Sequence, residues 1–542
     1  MNLRTYLLHN LKDALETFGL KSDDIPLLPT KDPALGDYST SIAMSFAKQV
    51  NKPPIEFAEE IKTALSMDPE MVSSVTVTPP GFINFFQSES YSQSVLQSII
   101  TQGSAYGKNH SEKKKRANVE FVSANPTGPL TVGHGRQAVL GDTISNILEW
   151  HGYDVTREYY FNDAGRQMRI LSESVQARYF ELLDQPFVFP EDGYQGSYIK
   201  EIAQLIIDDH GNNLEKNSSE FRVVPEKYIF KDIKSSLKSI GISHDIFSNE
   251  KSFYDSGAIK KTVEALRDKN LVYEKDDATW LKTTSFGKDQ DRVLIKSSGE
   301  PTYRLPDIAY HCNKLDRKFD LLVDIFGSDH MDTYPDVLSA VEALGYDISL
   351  IKILIHQFVT LLKNDEIVKM STRKGDFVTL EELTNSYGSD VVRYFFIMRG
   401  MNSHLNFDLD LAQDQSEKNP VFYLQYAHAR ICNIIKRGNA EEITTKRDAD
   451  FSLLTIGGEK ELIRKLDQYR HIMQSAYETL EPQIVVNYLQ ELAGCFHKFY
   501  AECRVITDDK NLSEARLGLI ESVKIILAAG MQILGVSTPE RM

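Results

Sequence analysis

Cysteine is scarce in this chain: Cys312, Cys432, Cys495 and Cys503 stand alone, with no C-x-x-C pair anywhere. That spacing excludes a zinc ribbon or a redox pair and predicts reduced, structural thiols with no structural metal. A run of about 18 apolar residues is also missing, as are the apolar stretch and cleavage site of a secretory leader. A membrane span is therefore not expected, and the cytoplasm is the expected compartment. Positive charge is in deficit, 61 Lys and Arg against 77 Asp and Glu, for a formal net charge of -16. That balance argues against a globally basic surface for a polyanion, so any such contact must use local patches, for example Lys113-Lys114-Lys115-Arg116. Neither internal repeats nor low-complexity segments occur. What remains is ordinary globular composition, 42% hydrophobic and 25% charged, so packed cores rather than disorder are expected. At about 100 to 200 residues per domain, the 542 residues call for three or four domains.

Hydrophobic periodicity divides the chain into three. Residues 1–110 read as a compact α/β module. It opens on a helix carrying Leu3, Leu7, Leu8, Leu11, Ala14 and Leu15, and closes on two strands joined at Pro79-Pro80-Gly81. Residues 111–400 carry a β-α-β rhythm: strands near 119–122 and 155–161, a helix near 134–150 stopped by Gly152, and further strands at 321–326 and 351–355. This is the pattern of a Rossmann-like nucleotide-binding domain, interrupted at about 170–275 by a mostly helical insertion. Beyond Gly400 the strand signal vanishes, and residues 401–542 read as an all-α domain with long helices at 420–437, 461–480, 484–500 and 513–533.

Two segments carry chemistry. The first runs from a strand through Ser123-Ala124-Asn125-Pro126-Thr127-Gly128-Pro129 into Gly133-His134-Gly135-Arg136 at a helix start. Free amides and the dipole there suit phosphate, Gly133 and Gly135 admit a bulky ligand, and His134 can donate to a phosphate oxygen. A surface helix cap would use the same residues. The second is Lys369-Met370-Ser371-Thr372-Arg373-Lys374, a polar loop with three cations. Placed at a departing pyrophosphate, each such donor lowers the barrier, and removing one typically costs about 3 kcal/mol. Alone, it would read as an exposed basic turn.

In this order and at this separation the two segments resemble the signature loops of class I aminoacyl-tRNA synthetases. Asn162-Asp163-Ala164-Gly165-Arg166-Gln167, Pro301-Thr302-Tyr303 with Asp307-Ile308-Ala309-Tyr310-His311, and Asn419 to Arg430 are similar to arginyl-tRNA synthetase in particular. The resemblance extends from Gly36-Asp37-Tyr38 to Pro539-Glu540-Arg541-Met542. Two positions depart from it. Thr131 stands where the family's first loop has its first histidine, and Thr372 where the second loop ends in lysine. A hydroxyl donates to phosphate but brings no charge. Lys374 or the basic run at 113–116 are the candidates for the missing cation.

The resemblance implies adenylate formation from ATP, with Mg²⁺ accompanying the nucleotide, and transfer of arginine to the terminal adenosine of tRNA(Arg). It assigns His134, Lys369, Ser371 and Thr131 to catalysis, and Gly133, Gly135, Gly327, Asp329, His356, Gln357 and Met370 to ATP. Arginine is assigned to Ser123, Asn125, Asp154, Tyr303, Asp307 and His330. A guanidinium is planar, always charged and rich in donors, so a carboxylate beside an aromatic face is its natural receptor. Tyr303 and Asp307, four apart on a helix, provide both. For Asn125 and Asp154 the alternative is ordinary turn or strand-end polarity. Tyr38, Tyr426 and Arg430 are the candidate tRNA contacts, with helix packing the alternative for the last two. No protein partner is implied, and a monomer is expected. Two other readings use the same features: a synthetase-like protein that binds tRNA without catalysis, and a class I enzyme for another amino acid.

Overall fold

The computed structural model describes residues 2–30, 32–109, 114–163, 165–328, 331–368 and 378–542. Its centre is a five-stranded sheet in the order Ile351–His356, Leu321–Gly327, Lys115–Glu120, Tyr153–Phe161, Ile246–Asn249, every neighbouring pair parallel. Central parallel strands are covered on both faces, which is why Ala117, Val119, Leu322, Val323 and Ile325 are fully buried. The first strand in the chain lies in the middle. The chain winds outward to one side through Tyr153–Phe161 and Ile246–Asn249, then to the other through Leu321–Gly327 and Ile351–His356. Winding thus reverses between Lys115–Glu120 and Leu321–Gly327, and open α/β sheets bind ligands outside the strand carboxyl ends at such a reversal.

Residues between Phe161 and Ile246 form the helices Gly165–Leu182, Ser197–His210 and Glu220–Ser239. Within the mostly helical insertion expected at about 170–275, Ile246–Asn249 is an edge strand of the main sheet. Four half-buried residues with two polar members carry too little apolar periodicity to announce a strand. A small antiparallel sheet of Val272–Lys275, Ala278–Leu281 and Arg292–Ile295 then leads into the helix Arg304–Asp316.

The N-terminal module is a four-stranded antiparallel sheet, Leu27–Pro29, Tyr38–Thr40, Phe82–Gln87, Val72–Thr78, packed with the helices Leu3–Thr17 and Pro54–Ala64. At the other end a bundle holds Pro420–Ala440, Gly457–Asp467, Tyr469–Thr479, Gln483–Glu502 and Lys510–Leu534. The helix expected at 461–480 is two helices, separated at Gln468. One strand lies beyond Gly400: Leu405–Asp408 pairs parallel to Val359–Lys363. The helix Lys510–Leu534 is long and apolar enough to cross a membrane by composition, but it is mostly buried and is the core helix of this bundle.

Candidate active site

A cleft of about 720 Å³ opens at the winding reversal, lined by residues of the first loop and of the Tyr303–His311 motif. On leaving Lys115–Glu120 the chain turns sharply, with Val122 at φ 70° and Ser123 at φ 43°. Non-glycine residues in this region cost about 1–3 kcal/mol each, so the turn persists only because its surroundings over-determine it. One reason is visible: the Ser123 hydroxyl donates to Glu120 Oε1 at 2.9 Å and accepts from the Tyr160 N–H at 3.1 Å. Asn125 also lines the cleft. Its Oδ1 accepts from the Asn162 N–H at 3.0 Å and its Nδ2 donates to Gln167 at 2.7 Å, which ties the first loop to the Asn162–Gln167 motif.

The helix Val132–Trp150 starts at Thr131. His134 Nδ1 accepts from the Thr131 N–H at 3.2 Å, which places the proton of a neutral ring on Nε2. A side chain on Gly133 would meet only Thr131 Oγ1, at 3.7 Å, so the space over this glycine is open. Gly135 does not serve that purpose. A Cβ there would lie 2.8 Å from Leu380 and 3.0 Å from Phe396, so its smallness serves packing behind the loop. Arg136, fully buried, fixes the helix start by donating to the carbonyls of Gln357 at 2.7 Å, Gly400 at 3.0 Å and Ser403 at 3.1 Å. Gln357 contributes through this backbone acceptor and is not part of the cleft lining, unlike His356 beside it. Gly327 and Ser328 line the opposite wall.

Asp329, His330, Lys369, Met370, Ser371, Thr372 and Lys374 lie outside the described residues. The residues that flank the second loop are described and lead to the first. Val368 donates to the Leu361 carbonyl at 3.0 Å, while Thr379 forms a bridge with Thr131 and Leu380 donates to the Leu130 carbonyl at 2.8 Å. Lys115 and Arg116 cannot supply a cation here. They begin the central strand, roughly 13 to 17 Å of strand from its ligand end at Glu120, and the Arg116 guanidinium lies 4.6 Å over the Phe319 ring.

The other half of the cleft is acidic and aromatic. Tyr160 stacks on Tyr310 with ring centroids 4.4 Å apart. Glu250, the first residue after the edge strand, accepts from the Tyr160 hydroxyl at 3.0 Å and from Asn162 Nδ2 at 2.8 Å. Asp307 stands in the first turn of Arg304–Asp316, with Tyr303 at the helix cap and 74% exposed at the cleft mouth. The Asp307 carboxylate accepts no hydrogen bond among the described residues. Burial pushes its pKa up to about 7; His311 opposes the shift, and the charges of Glu120 and Glu250 add to it. Burial raises Glu250 as well. Two carboxylates in want of a cation thus face one space.

Beneath them lies a closed ion network. The fully buried Lys314 ammonium bridges Glu120 and Asp324, the latter at 2.6 Å, and sits 4.4 Å over the Tyr310 ring. His311 bonds the Asp307 carbonyl at 2.8 Å through Nδ1 and Asp324 at 3.0 Å through Nε2. Both partners are acceptors, so only the doubly protonated ring satisfies both, consistent with a raised pKa: burial, the largest influence, lowers it, and the Asp324 bond together with the charges of Asp324 and Asp307 outweighs that.

Asp154 is not part of this site. It is the second residue of Tyr153–Phe161, exposed, and at the strand end away from the cleft. The strand pattern does not say which end meets a ligand; the sheet topology does. Tyr38 is likewise misplaced as a tRNA contact, being 4% exposed. It sits at a joint where Asp37 pairs with Arg464 of the helical domain at 2.5 Å and Tyr91 donates to Asp467 at 2.6 Å. Tyr426 and Arg430 do face a cavity. The Arg430 guanidinium lies 4.3 Å from the Tyr426 ring and 5.1 Å from that of Tyr500, in a cleft of about 770 Å³ that Arg437, Arg504 and Met542 also line.

Known families account for most of the chain. Residues 2–87 match the family described as the arginyl tRNA synthetase N terminal domain, residues 95–390 the class I (R) tRNA synthetase catalytic domain, and residues 424–542 the DALR anticodon binding domain. An arginine–tRNA ligase of Salinibacter ruber is 45% identical over 100% of both chains. The chain belongs to the arginyl-tRNA synthetase family. A second relative of this family, from Desulfotalea psychrophila, is 48% identical over 94% of this chain and 93% of its own. The fold of the synthetase is also that of the Thermus thermophilus arginyl-tRNA synthetase, with a TM-score of 0.78 over 99% of this chain at 20% identity. Within this family chain, Glu120, Tyr160, Glu250 and Lys314 are the cleft and network residues that motif reading passed over.

If Asp307 receives the arginine guanidinium, binding is expected to depend on pH. Below pH 7 the empty site holds Asp307 protonated, and a guanidinium requires it ionised, so binding releases a proton. Affinity therefore rises with pH through about 7 and levels above it, with binding at pH 6 about tenfold weaker than on the plateau. Calorimetric titration in two buffers of different ionisation enthalpy reads that proton directly. Equal heats at pH 6.5 would contradict the assignment.

Proposed function

We propose that this arginine–tRNA ligase forms arginyl-adenylate in the cleft described above and that the named residues divide the work as follows. The arginine guanidinium lies between Asp307 and Glu250 against the Tyr160 ring, where two carboxylates and an aromatic face match its charge and plane. Its carboxylate oxygen attacks the α-phosphorus of ATP, the bond to the β-phosphate oxygen breaks, and pyrophosphate leaves. His134 and Thr131 donate to the phosphates at the helix start, and the helix dipole favours their charge. The segment Lys369-Met370-Ser371 is assigned to the departing pyrophosphate, with Mg²⁺ accompanying the nucleotide. The 2′-hydroxyl of the terminal adenosine then attacks the acyl carbon and AMP departs. Tyr426 and Arg430 stack on unpaired bases of tRNA(Arg).

The observation that carries this reading is the Asp307 carboxylate, without a hydrogen-bond partner among the described residues, in the same cleft as His134. A site built to bond a buried cation rejects analogues that lack it by roughly ten-thousandfold, so no editing domain is required. The test is pyrophosphate exchange with tRNA present, comparing arginine with lysine and citrulline. Exchange should occur with arginine alone, and His134→Ala should lower kcat by about a hundred- to a thousandfold. Comparable exchange with lysine, or an undiminished His134→Ala variant, would contradict the assignment.

A further inference from the structure

The helix Arg304–Asp316 carries Asp307 at its cleft end, and beyond Asp307 every third residue is a cation turned toward the sheet: His311, Lys314 and, at the helix cap, Arg317. A row of carboxylates receives them. Asp324 and Glu120 are register partners on neighbouring parallel strands, as are Glu120 and Glu158, so the three stand side by side on one face of the sheet. His311 Nε2 donates to Asp324 at 3.0 Å, Lys314 bridges Asp324 and Glu120, and Arg317 donates to Glu158 at 2.7 Å. All of these residues except Arg317 are buried. The row is also tied to the cleft at both of its near ends. His311 Nδ1 donates back to the Asp307 carbonyl at 2.8 Å, and the Ser123 hydroxyl donates to the Glu120 oxygen that Lys314 leaves free, at 2.9 Å. A continuous path of hydrogen bonds thus runs from the backbone of Asp307 through His311, Asp324, Lys314 and Glu120 to the turn of the first loop.

We propose that this charge row sets the length of amino-acid side chain that the synthetase accepts, with His311 as the positioning residue nearest the substrate. The proposal rests on the functional reading above, in which the guanidinium lies at Asp307 and the other end of arginine near Ser123 and Asn125. Those two ends are held by different elements, one by a helix and one by the turn after a strand. Their separation is therefore decided by where the helix sits along the sheet. Apolar packing alone lets a helix settle in neighbouring positions at small cost, whereas a displaced buried ion pair leaves its charges desolvated. Such pairs add little net stability over apolar contacts, and fixing one register is their best-attested use. An extra or missing methylene moves the guanidinium by about an ångström relative to the reacting carboxylate, and a misplacement of that size costs about a hundredfold in rate. The row thereby turns a fixed helix position into rejection of longer and shorter homologues of arginine.

The experiment measures kcat/KM in pyrophosphate exchange, with tRNA present, for arginine, for homoarginine with one methylene more, and for α-amino-γ-guanidinobutyrate with one methylene less. The full-length enzyme is compared with His311→Asn, whose amide reaches the Asp307 carbonyl but not Asp324, and with His311→Gln, whose amide reaches Asp324. Both variants are uncharged, so the comparison separates the bond from the charge. The unaltered enzyme should prefer arginine to either homologue by about a hundredfold. In His311→Asn that preference should shrink to about tenfold, arginine falling about fivefold and the homologues rising about twofold, with the KM for ATP nearly unchanged. His311→Gln should return the preference to within about threefold of the unaltered enzyme. Asp324→Asn, which keeps the volume but turns a donor toward His311 or Lys314, should narrow the preference in the same way and serves if His311→Asn does not fold. An equal loss for all three amino acids would mean a merely structural row and would overturn the proposal. So would an unchanged preference in His311→Asn, a His311→Gln variant no better than it, or an unaltered enzyme that uses the homologues as well as arginine. Undiminished kcat/KM for arginine in Asp307→Asn would instead remove the functional reading, and the length selection with it.

Discussion

Asp307→Asn is expected to lower kcat/KM for arginine by about a thousandfold while leaving the KM for ATP nearly unchanged. Asparagine preserves the volume and removes the charge, and its amide turns a donor toward a guanidinium that has only donors. Cutting one partner of a desolvated charge pair costs about 2–5 kcal/mol, and about 4 kcal/mol corresponds to three decades. The remaining carboxylate, Glu250, is already engaged with Tyr160 and Asn162 and does not substitute. Stability should move the other way. The folded-state pKa of Asp307 is raised to about 7, so the fold loses stability as pH rises from about 4 to 7 and the ionised carboxylate opposes folding above that range. The variant escapes this, and its melting temperature at pH 8 should equal or exceed that of the parent. A loss in kcat/KM below tenfold, or a loss matched for ATP, would show that Asp307 does not read the substrate side chain.

Lys314→Met is expected to damage the fold rather than the substrate contacts alone. The lysine is fully buried, and its removal leaves Glu120 and Asp324, 3% and 0% exposed, without their shared ammonium. Breaking a buried ion pair from one side costs about 3–5 kcal/mol because the surviving charge stays desolvated. Burial alone would raise Asp324; Lys314 first and then His311 outweigh it and hold the carboxyl below the usual range. With that folded-state pKa depressed, the parent keeps this contribution above pH 4 and loses it only in stronger acid. Without the ammonium, the Asp324 carboxyl loses the largest influence that holds it down and takes up a proton more readily. The denaturation midpoint of the variant, well below the parent at pH 8, should therefore approach it near pH 5. A midpoint deficit that is small, or constant across that range, would mean that the network contributes little. Because the chain has several domains, the measurement should follow a probe in the catalytic domain rather than assume one transition.

These two residues differ in how far they could be read from the chain. Asp307 was singled out in the sequence because its motif with Tyr303 resembles that of arginyl-tRNA synthetase; the four-residue spacing alone reads as a helix-surface carboxylate beside a core tyrosine. Lys314 sits on the same helix, but a lysine seven residues further on looks like any solvated cation until the sheet is laid against it. Glu120 and Glu250 are separated by 130 positions and belong to different strand ends. Nothing in the local pattern of either marks it as facing the other. The same limit explains Asp154 and Tyr38: each was placed by the motif or strand around it, and burial or strand polarity put it elsewhere.

The amino-acid sequence by itself determined the two loop motifs and their order, the β-α-β rhythm, and the helical character of the last third. These features depend on backbone propensity and on residues within a few turns of one another. The pairing of Asp307 with Glu250 in one cleft and the buried ion network around Lys314 were decided only by tertiary structure. Each is made of charges or polar groups that are costly to bury alone and become favourable only when a partner distant in the chain is brought within hydrogen-bond reach.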